Sequence, residues 1–170
     1  MCALLPKRTI DLVIEYYKPA TWLDVGCGIG SSLKYVKKKG IEVMGLENSA
    51  MAIKISKLQH IIKKTDLTTE VNLEKKFDLV WCYEVAEHLP EEFADIFVHT
   101  LIKHGNTIVL SAATPGQGGD GHVNEQPASY WIKKMNSYGF IVDEAVTARI
   151  QLLNDLYSKN VHCFKKDNTR

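Results

Sequence analysis

Two acidic residues and two histidines are spaced so that they could form one reactive site. Glu84, Glu87 and His88 occur as E-x-x-E-H, and His122 lies in a Gly-rich segment further along the chain. If a helical turn begins at Glu84, positions 84, 87 and 88 share one face. Two carboxylates and two imidazoles suit Mg²⁺, Mn²⁺ or a similar ion, which lowers the pKa of a bound hydroxyl. All four are therefore candidate metal ligands, and His122, His88 and Glu84 are the candidate catalytic residues.

The role of His122 has two alternatives to metal binding. It could act as a general base without an ion, taking the proton from a hydroxyl nucleophile. It could also be a purely structural histidine of its loop. The residue types alone leave these three possibilities open.

A second group of residues surrounds a Gly-rich turn near the start of the chain. Residues 23–30 read LDVGCGIG, an apolar strand that runs into a turn where a ligand can approach bare backbone. Glu47 ends the next apolar run, 21 residues after Gly26, where an acid can bind a ribose hydroxyl pair. Asp24 lies inside the first strand, where it would face the pyrophosphate of a dinucleotide. A cofactor with a cationic amino group and no phosphates, such as S-adenosylmethionine, fits this acid better.

The elements that position these groups alternate between strands and helices. Apolar runs predict strands at 22–27, 41–47, 61–67, 77–83, 107–112, 140–146 and 161–164, and helical spacing predicts helices at 7–18, 31–39, 49–58, 90–103, 127–138 and 152–158. This alternation predicts an α/β fold, a parallel sheet with helices on both faces. The candidate residues follow strand ends, at the edge where such sheets bind ligands.

These motifs resemble those of class I S-adenosylmethionine-dependent methyltransferases. Residues 23–30 resemble motif I, Glu47 the ribose-binding acid, and Asp66-Leu67 the acidic motif beside the adenine. Residues 77–80 (FDLV) and 84–89 (EVAEHL) resemble the strand-four region. The resemblance implies a Rossmann-like sheet of seven strands with an antiparallel final strand, formed by one domain that covers residues 1–170.

The same resemblance assigns cofactor contacts. It implies that Asp24, Gly26 and Gly28 line the methionine portion and that Glu47 binds both ribose hydroxyls, with Asn48 beside the adenine. Asp66 would accept from the adenine amino group, and Leu67 would offer its backbone amide. Cys27, Gly30 and Tyr83 complete the predicted cofactor set. Asp66 could instead cap a short helix over 68–71.

The segment 118–127 indicates what kind of acceptor the protein uses. It resembles the substrate loop of small glycan or sugar O-methyltransferases, and it offers hydrogen-bonding groups for a hydroxyl-rich ligand: Asp120, His122, Asn124, Glu125 and Gln126. Tyr130 and Trp131, which follow it, could stack on a sugar face or pack within their helix. The E-x-x-E-H set with His122 also resembles the metal site of small-RNA 3′-terminal ribose 2′-O-methyltransferases.

Four functions are therefore considered, the last of which is a carboxyl or N-methyltransferase that acts on a small molecule. The first is O-methylation of a sugar hydroxyl on a glycan or glycoconjugate, which we favour. The second is metal-dependent 2′-O-methylation of an RNA end, for which the sequence lacks a basic surface or RNA-binding appendage. The third is a non-catalytic partner subunit that keeps only the cofactor fold.

Bulk properties limit the partners. The chain has 170 residues and a net charge of +1, so its charge balance requires neither nucleic acid nor a membrane surface. Its four cysteines show no CxxC pair, and three of them lie in apolar runs, as expected in a reducing compartment. No signal peptide or membrane-length apolar run is present, which favours a cytoplasmic protein without a membrane span. A glycosyltransferase domain or enzyme is the expected companion.

Overall fold

The computed structural model describes residues 5–167 and residue 169. Cys2, one of the four cysteines, lies outside the described residues. The strands are β1 (Thr21–Val25), β2 (Glu42–Glu47), β3 (Ile62–Lys64), β4 (Leu79–Tyr83), β5 (Thr107–Ser111), β6 (Phe140–Val142) and β7 (His162–Lys166). The helices are α1 (Lys7–Tyr17), α2 (Ser31–Lys37), α3 (Ala50–Ser56), α4 (Ala94–His104), α5 (Ala128–Ser137) and α6 (Glu144–Gln151). Short 3₁₀ turns occupy Ala86–His88, Glu91–Phe93 and Ser158–Asn160.

The seven strands form one sheet in the order β3-β2-β1-β4-β5-β7-β6. Strands β1 to β5 pair in parallel, whereas β7 runs antiparallel to both β5 and β6. The predicted α/β fold, a seven-stranded Rossmann-like sheet with an antiparallel final strand, is confirmed. The chain order reverses between β1 and β4, which is where open parallel sheets bind ligands.

Both faces of the sheet are covered, as the continuous apolar strands require. Side chains alternate along β4, with Val80 and Cys82 in one core and Leu79 and Trp81 in the other. Helices α4 and α5 supply the first core, and α1, α2, α3 and α6 supply the second. A rigid sheet thus presents the loops after β1, β2, β4 and β5 along one edge.

The predictions for 140–146 and 152–158 were wrong. Strand β6 ends at Val142, and helix α6 occupies the stretch in which the end of a strand was expected. Val146 and Ile150 lie four residues apart and are fully buried, so this helical register packs against the second core. Leu152 is 87% exposed and offers no such packing, which explains why no helix forms after it.

Strand β3 is shorter than predicted, because only Ile62–Lys64 pair with β2. Asp66 therefore lies in a turn beyond the strand end. The remaining predicted elements are present with ends shifted by a few residues. Among the described residues, no helix has both the length and the apolar character needed to cross a membrane.

Candidate active site

The Gly-rich turn after β1 is held by the neighbouring strand. The amides of Gly26 and Cys27 both donate to the Leu46 carbonyl, at 2.9 and 3.0 Å. Gly26 has φ +77°, and a Cβ there would lie 2.5 Å from Cγ2 of Val85. Only glycine combines this left-handed conformation with so close an approach, so the turn stays open to a ligand.

Glu47 ties this turn to the end of β2. Its carboxylate accepts from the Gly28 amide at 2.8 Å and from the Ser49 amide at 2.7 Å. A carboxylate offers about four lone-pair positions, so acceptor capacity remains for a pair of hydroxyl groups. The predicted ribose-binding acid is therefore fixed in place by backbone donors.

Two adjoining cavities form a cleft along this edge of the sheet. The inner cavity has a volume of about 300 Å³, and its walls include Asp24, Gly26, Cys27, Gly28 and Tyr83. The outer cavity has a volume of about 750 Å³, and its walls include Glu47, Asn48, Asp66 and Leu67. Both are lined by Gly26, Gly28, Ile29, Ala52 and Glu84. The structure thus brings together the predicted cofactor residues, with the exception of Gly30, which lines neither cavity.

Gly30 supports the turn from the side that faces away from the two cavities. It is the N-cap of α2 with φ +71°, and a Cβ there would lie 2.9 Å from Cδ1 of Leu58. Its role is to let the turn pack against the segment after α3.

Asp24 is the buried acid of the inner cavity. It is 3% exposed, and burial, followed by the nearby Glu47 carboxylate, raises its pKa to about 8. Burial without a cation disfavours the ionised form. An ammonium group in the cavity would reverse this effect, which suits the amino group of a methionine portion.

Cys27 and Tyr83 complete the wall beside Asp24. Burial raises the pKa of the Cys27 thiol, so this side chain is an uncharged surface of the cavity. The Tyr83 ring stacks on Trp81 at 5.0 Å between centroids, and its hydroxyl donates to the Leu156 carbonyl. Both side chains are therefore fixed before a ligand arrives.

Asp66 and Leu67 lie at the far end of the outer cavity. Asp66 accepts from the amide and hydroxyl of Thr68 at 2.9 and 2.8 Å, and these bonds lower its pKa. This is a turn bonded by its own side chain rather than the cap of a helix. Leu67 is buried and contributes an apolar surface suited to a planar base.

Glu87, His88 and His122 converge beside the cleft. One possible ligand atom from each lies within 4.8 Å of the others, and the two imidazole rings are 5.0 Å apart. We call these three residues the EHH cluster. His88 also lines the outer cavity, so the cluster adjoins the predicted cofactor site.

Glu87 is the buried member of the EHH cluster. It is fully buried, and neither carboxylate oxygen has a hydrogen-bond partner. Burial raises its pKa to about 7, although the nearby amides of Glu87 and Ala113 oppose this rise without reaching hydrogen-bond geometry. An unpartnered buried carboxylate is costly unless a cation or proton compensates it.

Each histidine of the cluster is oriented by its Nδ1 atom. His122 Nδ1 lies 2.8 Å from a Glu125 oxygen, and His88 Nδ1 lies 3.1 Å from the Gly121 carbonyl. Both partners are acceptors, so we assign the proton to Nδ1 in each ring. This tautomer leaves an Nε2 lone pair on both rings, as in histidines that bind metals.

Glu84 lies apart from the EHH cluster. Its backbone has φ +52°, so no regular helical turn begins there and positions 84, 87 and 88 do not share a face. Its carboxylate instead accepts from Gln117 Nε2 at 2.9 Å and from Asn160 Nδ2 at 3.1 Å. Glu84 thereby joins the cleft to the loop after β5 and to the turn before β7.

The Gly-rich loop is folded tightly around Glu125. This carboxylate accepts from the amides of Gly116 and Gly118 at 2.8 and 2.7 Å, as well as from His122. Asn124 is buried, and its side-chain oxygen accepts from Gln126. The side chains expected to bind a hydroxyl-rich ligand therefore mostly hold the loop itself, and sequence reasoning missed this role.

Of the two alternatives for Trp131, stacking on a sugar or packing within the protein, the structure supports packing. Trp131 is 4% exposed and packs against Phe97, at 6.0 Å between rings. Tyr130 is half-buried against the Trp131 ring. Helical spacing places Trp131 on the core face of α5, which outweighs its proximity to the loop in sequence.

Substituting Gly119 with alanine tests how closely the loop holds His122. A Cβ at position 119 would lie 2.3 Å from His122 Nε2, so the imidazole must move. We expect Gly119→Ala to lower methyl-transfer kcat about a hundredfold or more without changing cofactor affinity. Gly118→Ala is the control, because nothing lies within 4 Å of its Cβ and its φ of +68° adds only about 1 kcal/mol of strain. If Gly119→Ala keeps the wild-type kcat, as the Gly118→Ala control should, the position of His122 is unimportant for methyl transfer.

Known proteins share this fold. The family model described as a methyltransferase domain matches residues 5–145. The ubiquinone biosynthesis O-methyltransferase of Alkalilimnicola ehrlichii is 26% identical over 117 residues, which cover 64% of this chain and 43% of that protein. The sugar N-methyltransferase KedS8 from Streptoalloteichus has a TM-score of 0.76 at 15% identity, covering 98% of this chain and 88% of that one. The small RNA methyltransferase HEN1 has a TM-score of 0.72 at 15% identity, covering 97% of this chain and 26% of that one.

These similarities agree with the described geometry. The chain spans less than half the length of the curated relative named above, and the two solved structures share its fold at low identity. The family match covers most of the chain. It includes the Gly-rich turn, Glu47 and all three residues of the EHH cluster. The chain therefore belongs to the methyltransferase domain family, as its resemblance to class I S-adenosylmethionine-dependent methyltransferases predicted.

Proposed function

We propose that this protein is an S-adenosylmethionine-dependent O-methyltransferase that acts on a sugar hydroxyl of a glycan or glycoconjugate. The observation that carries the proposal is the EHH cluster beside the cleft, because a hydroxyl nucleophile needs a group that removes or stabilises its proton. The O-methyltransferase name of its curated relatives and the sugar N-methyltransferase fold support the same choice.

The cleft fits the proposed cofactor by charge and shape. Asp24 would pair with the ammonium group, and the carboxylate of Glu47 would accept from the ribose hydroxyls. Leu67, Met51 and Ile55 line the outer cavity and would cover the base. The activated methyl group makes placement of the acceptor oxygen the main task of the protein.

We further propose that Glu87, His88 and His122 hold a divalent ion, Mg²⁺ or Mn²⁺. The orphaned Glu87 oxygens and the two imidazoles oriented through Nδ1 form a set that a cation would complete. When bound, such an ion would lower the pKa of the acceptor hydroxyl. Glu84 is excluded from our ligand set, because its oxygens are bonded to Gln117 and Asn160.

Removal of the buried carboxylate tests this set. Glu87→Gln should weaken Mn²⁺ binding about a hundredfold, because it removes the only charged ligand of the cluster. Mn²⁺ titration followed by electron paramagnetic resonance measures the affinity directly. Glu84→Gln serves as the matched control and should bind Mn²⁺ like the wild type. Equal weakening in both variants would restore Glu84 to the ligand set.

RNA ribose 2′-O-methylation is the second candidate, favoured by the same cluster and by the shared fold of HEN1. Charge argues against it. Residues 77–128, which include the loops around the cluster, carry eight acidic residues and one basic residue. Phosphate contacts depend on Lys and Arg, so this region would repel an RNA end.

A transfer assay with labelled S-adenosylmethionine separates these functions. The acceptors would be a panel of pyranosides, oligosaccharides and short RNA duplexes. Label on a sugar supports the proposal, and label on RNA alone would replace it by the second candidate. Cofactor binding without transfer to any acceptor would favour a non-catalytic partner subunit.

The proposed setting follows from the thiols and the acceptor. Cys27, Cys82 and Cys163 are free, as expected of a protein that works in the reducing cytoplasm. A glycosyltransferase domain or enzyme is the proposed source of the acceptor.

A further inference from the structure

The aromatic side chain at the mouth of the cleft is Tyr157, a residue that sequence reasoning did not select. It lines the inner cavity together with Leu5, Pro6 and Leu156. Its side chain is 41% exposed, whereas Trp131, one of two aromatic residues considered for ligand contact, is buried in the core. The cavity thus has an exposed aromatic face in addition to the half-buried ring of Tyr83.

The segment that carries Tyr157 is fixed on several sides. Asp155 accepts from the Thr9 amide and hydroxyl at 2.7 and 3.1 Å, which ties the segment to the start of α1. The Ser158 hydroxyl donates to the Leu153 carbonyl at 2.6 Å, and Tyr83 donates to the carbonyl of Leu156. These bonds hold the backbone on both sides of residue 157.

Tyr157 itself adopts a strained conformation. Its φ of +58° is uncommon for a bulky residue, and such strain persists where the surroundings impose it, often at ligand sites. Within residues 5–167, its ring stacks on no other aromatic side chain and its hydroxyl makes no hydrogen bond. By contrast, the hydroxyls of Tyr17 and Tyr35 are bonded to Asp143 and Asp11. The segment therefore displays a ring that the fold itself does not use.

The wall formed by Tyr157 does not suit the methionine portion of the cofactor. That portion carries an ammonium and a carboxylate, and the acid expected to pair with the ammonium is Asp24. The residues around Tyr157 have no charged group that could pair with the carboxylate; they are Leu5, Pro6 and Leu156. A ligand with an apolar face and polar edges fits this wall better.

We propose that Tyr157 forms a subsite for the acceptor and contacts the apolar C–H face of a pyranose ring. The inference rests on the proposed function and deepens it by naming a specificity-determining residue. The acceptor ring would lie between the Tyr157 face and the cofactor. Its hydroxyl edge would be directed past Glu84, which lines both cavities, toward the EHH cluster, whose His88 lines the outer cavity. Tyr157 would bind the acceptor and take no part in the methyl transfer itself.

Substitutions at Tyr157 test this subsite with a panel of methyl pyranosides as acceptors. Tyr157→Ala should raise the acceptor KM about fivefold to tenfold and leave the affinity for S-adenosylhomocysteine unchanged. Tyr157→Phe should restore the wild-type KM, since the face of the ring remains. Tyr157→Asn removes the ring and tolerates a left-handed φ, which covers the case in which the alanine variant folds poorly. Tyr16→Ala is the matched control, because Tyr16 is 43% exposed on α1 and lies outside the cleft.

The outcomes separate this inference from the proposed function. Transfer by the wild type with an unchanged acceptor KM in Tyr157→Ala would overturn the subsite alone. A loss of S-adenosylhomocysteine affinity in that variant would also overturn it, by placing Tyr157 against the cofactor. Transfer to no pyranoside by the wild type, with the cofactor bound, would overturn the proposed sugar substrate and the subsite with it.

Discussion

Replacing His122 with alanine should lower kcat about a thousandfold and leave cofactor affinity within about twofold of the wild type. The imidazole is held by Glu125 at 2.8 Å through Nδ1, which leaves Nε2 as the ring nitrogen that can accept a proton or bind an ion. His122 lines neither cavity of the cofactor cleft, and its loss therefore spares cofactor binding. Single-turnover transfer from labelled S-adenosylmethionine, with a separate titration of S-adenosylhomocysteine, measures the two quantities.

The control for His122→Ala is the same substitution at a histidine that lies far from the site. His60 lies on the surface beside β3, and His60→Ala should retain full kcat. Full turnover in His122→Ala would contradict both the metal and the general-base roles of this residue. Loss of cofactor affinity together with kcat would indicate that the loop collapses into the cleft.

Replacing Asp24 with asparagine should affect cofactor binding rather than kcat, and should weaken that binding about a hundredfold. Asp24 is the buried acid of the inner cavity, and its carboxylate is the expected partner of the cofactor ammonium. Removing that charge leaves the ammonium without compensation in a desolvated site. At saturating cofactor, kcat should recover to near the wild-type value. Asp11→Asn, on the surface of α1, is the control and should bind the cofactor normally.

The pKa of Asp24 adds a pH signature to this prediction. In the ligand-free protein its pKa is about 8, so the carboxyl is largely protonated at pH 6. An ammonium neighbour favours the ionised form and lowers this pKa, so binding releases a proton below pH 8. Affinity for S-adenosylhomocysteine should therefore rise as pH increases from 6 to 8. Calorimetry in buffers of different ionisation enthalpy measures the proton release, and Asp24→Asn should lack it. A flat pH profile in the wild type would show that Asp24 is already ionised.

Much of the fold follows from local patterns in the sequence. Apolar runs identified the five parallel strands because both faces of such strands are buried. Ser49 caps α3 by accepting from the Ala52 amide. The stretch after Phe140 was misassigned, because the apolar residues Val142, Val146 and Ile150 fit a strand end as well as a helix face. Only packing against α1 and the sheet decides between them.

The sequence predicted which residues form the candidate site, but not which of them contact one another. E-x-x-E-H marks four reactive groups with His122, yet the sequence does not reveal that Glu84 has φ +52° and turns away from the others. Its partner Asn160 comes from a turn 76 residues later, and no local pattern indicates that contact. Glu125 appeared to be a ligand-binding acid, whereas the loop geometry uses it to orient His122.

The most direct test of the whole account is methyl transfer to a sugar panel by protein stripped with EDTA and then given Mn²⁺. Wild-type protein should lose transfer in EDTA and regain it with Mn²⁺, whereas Glu87→Gln should show neither the initial activity nor the recovery. Transfer that persists in EDTA, or that survives in Glu87→Gln, would contradict a metal-assisted reaction at Glu87, His88 and His122.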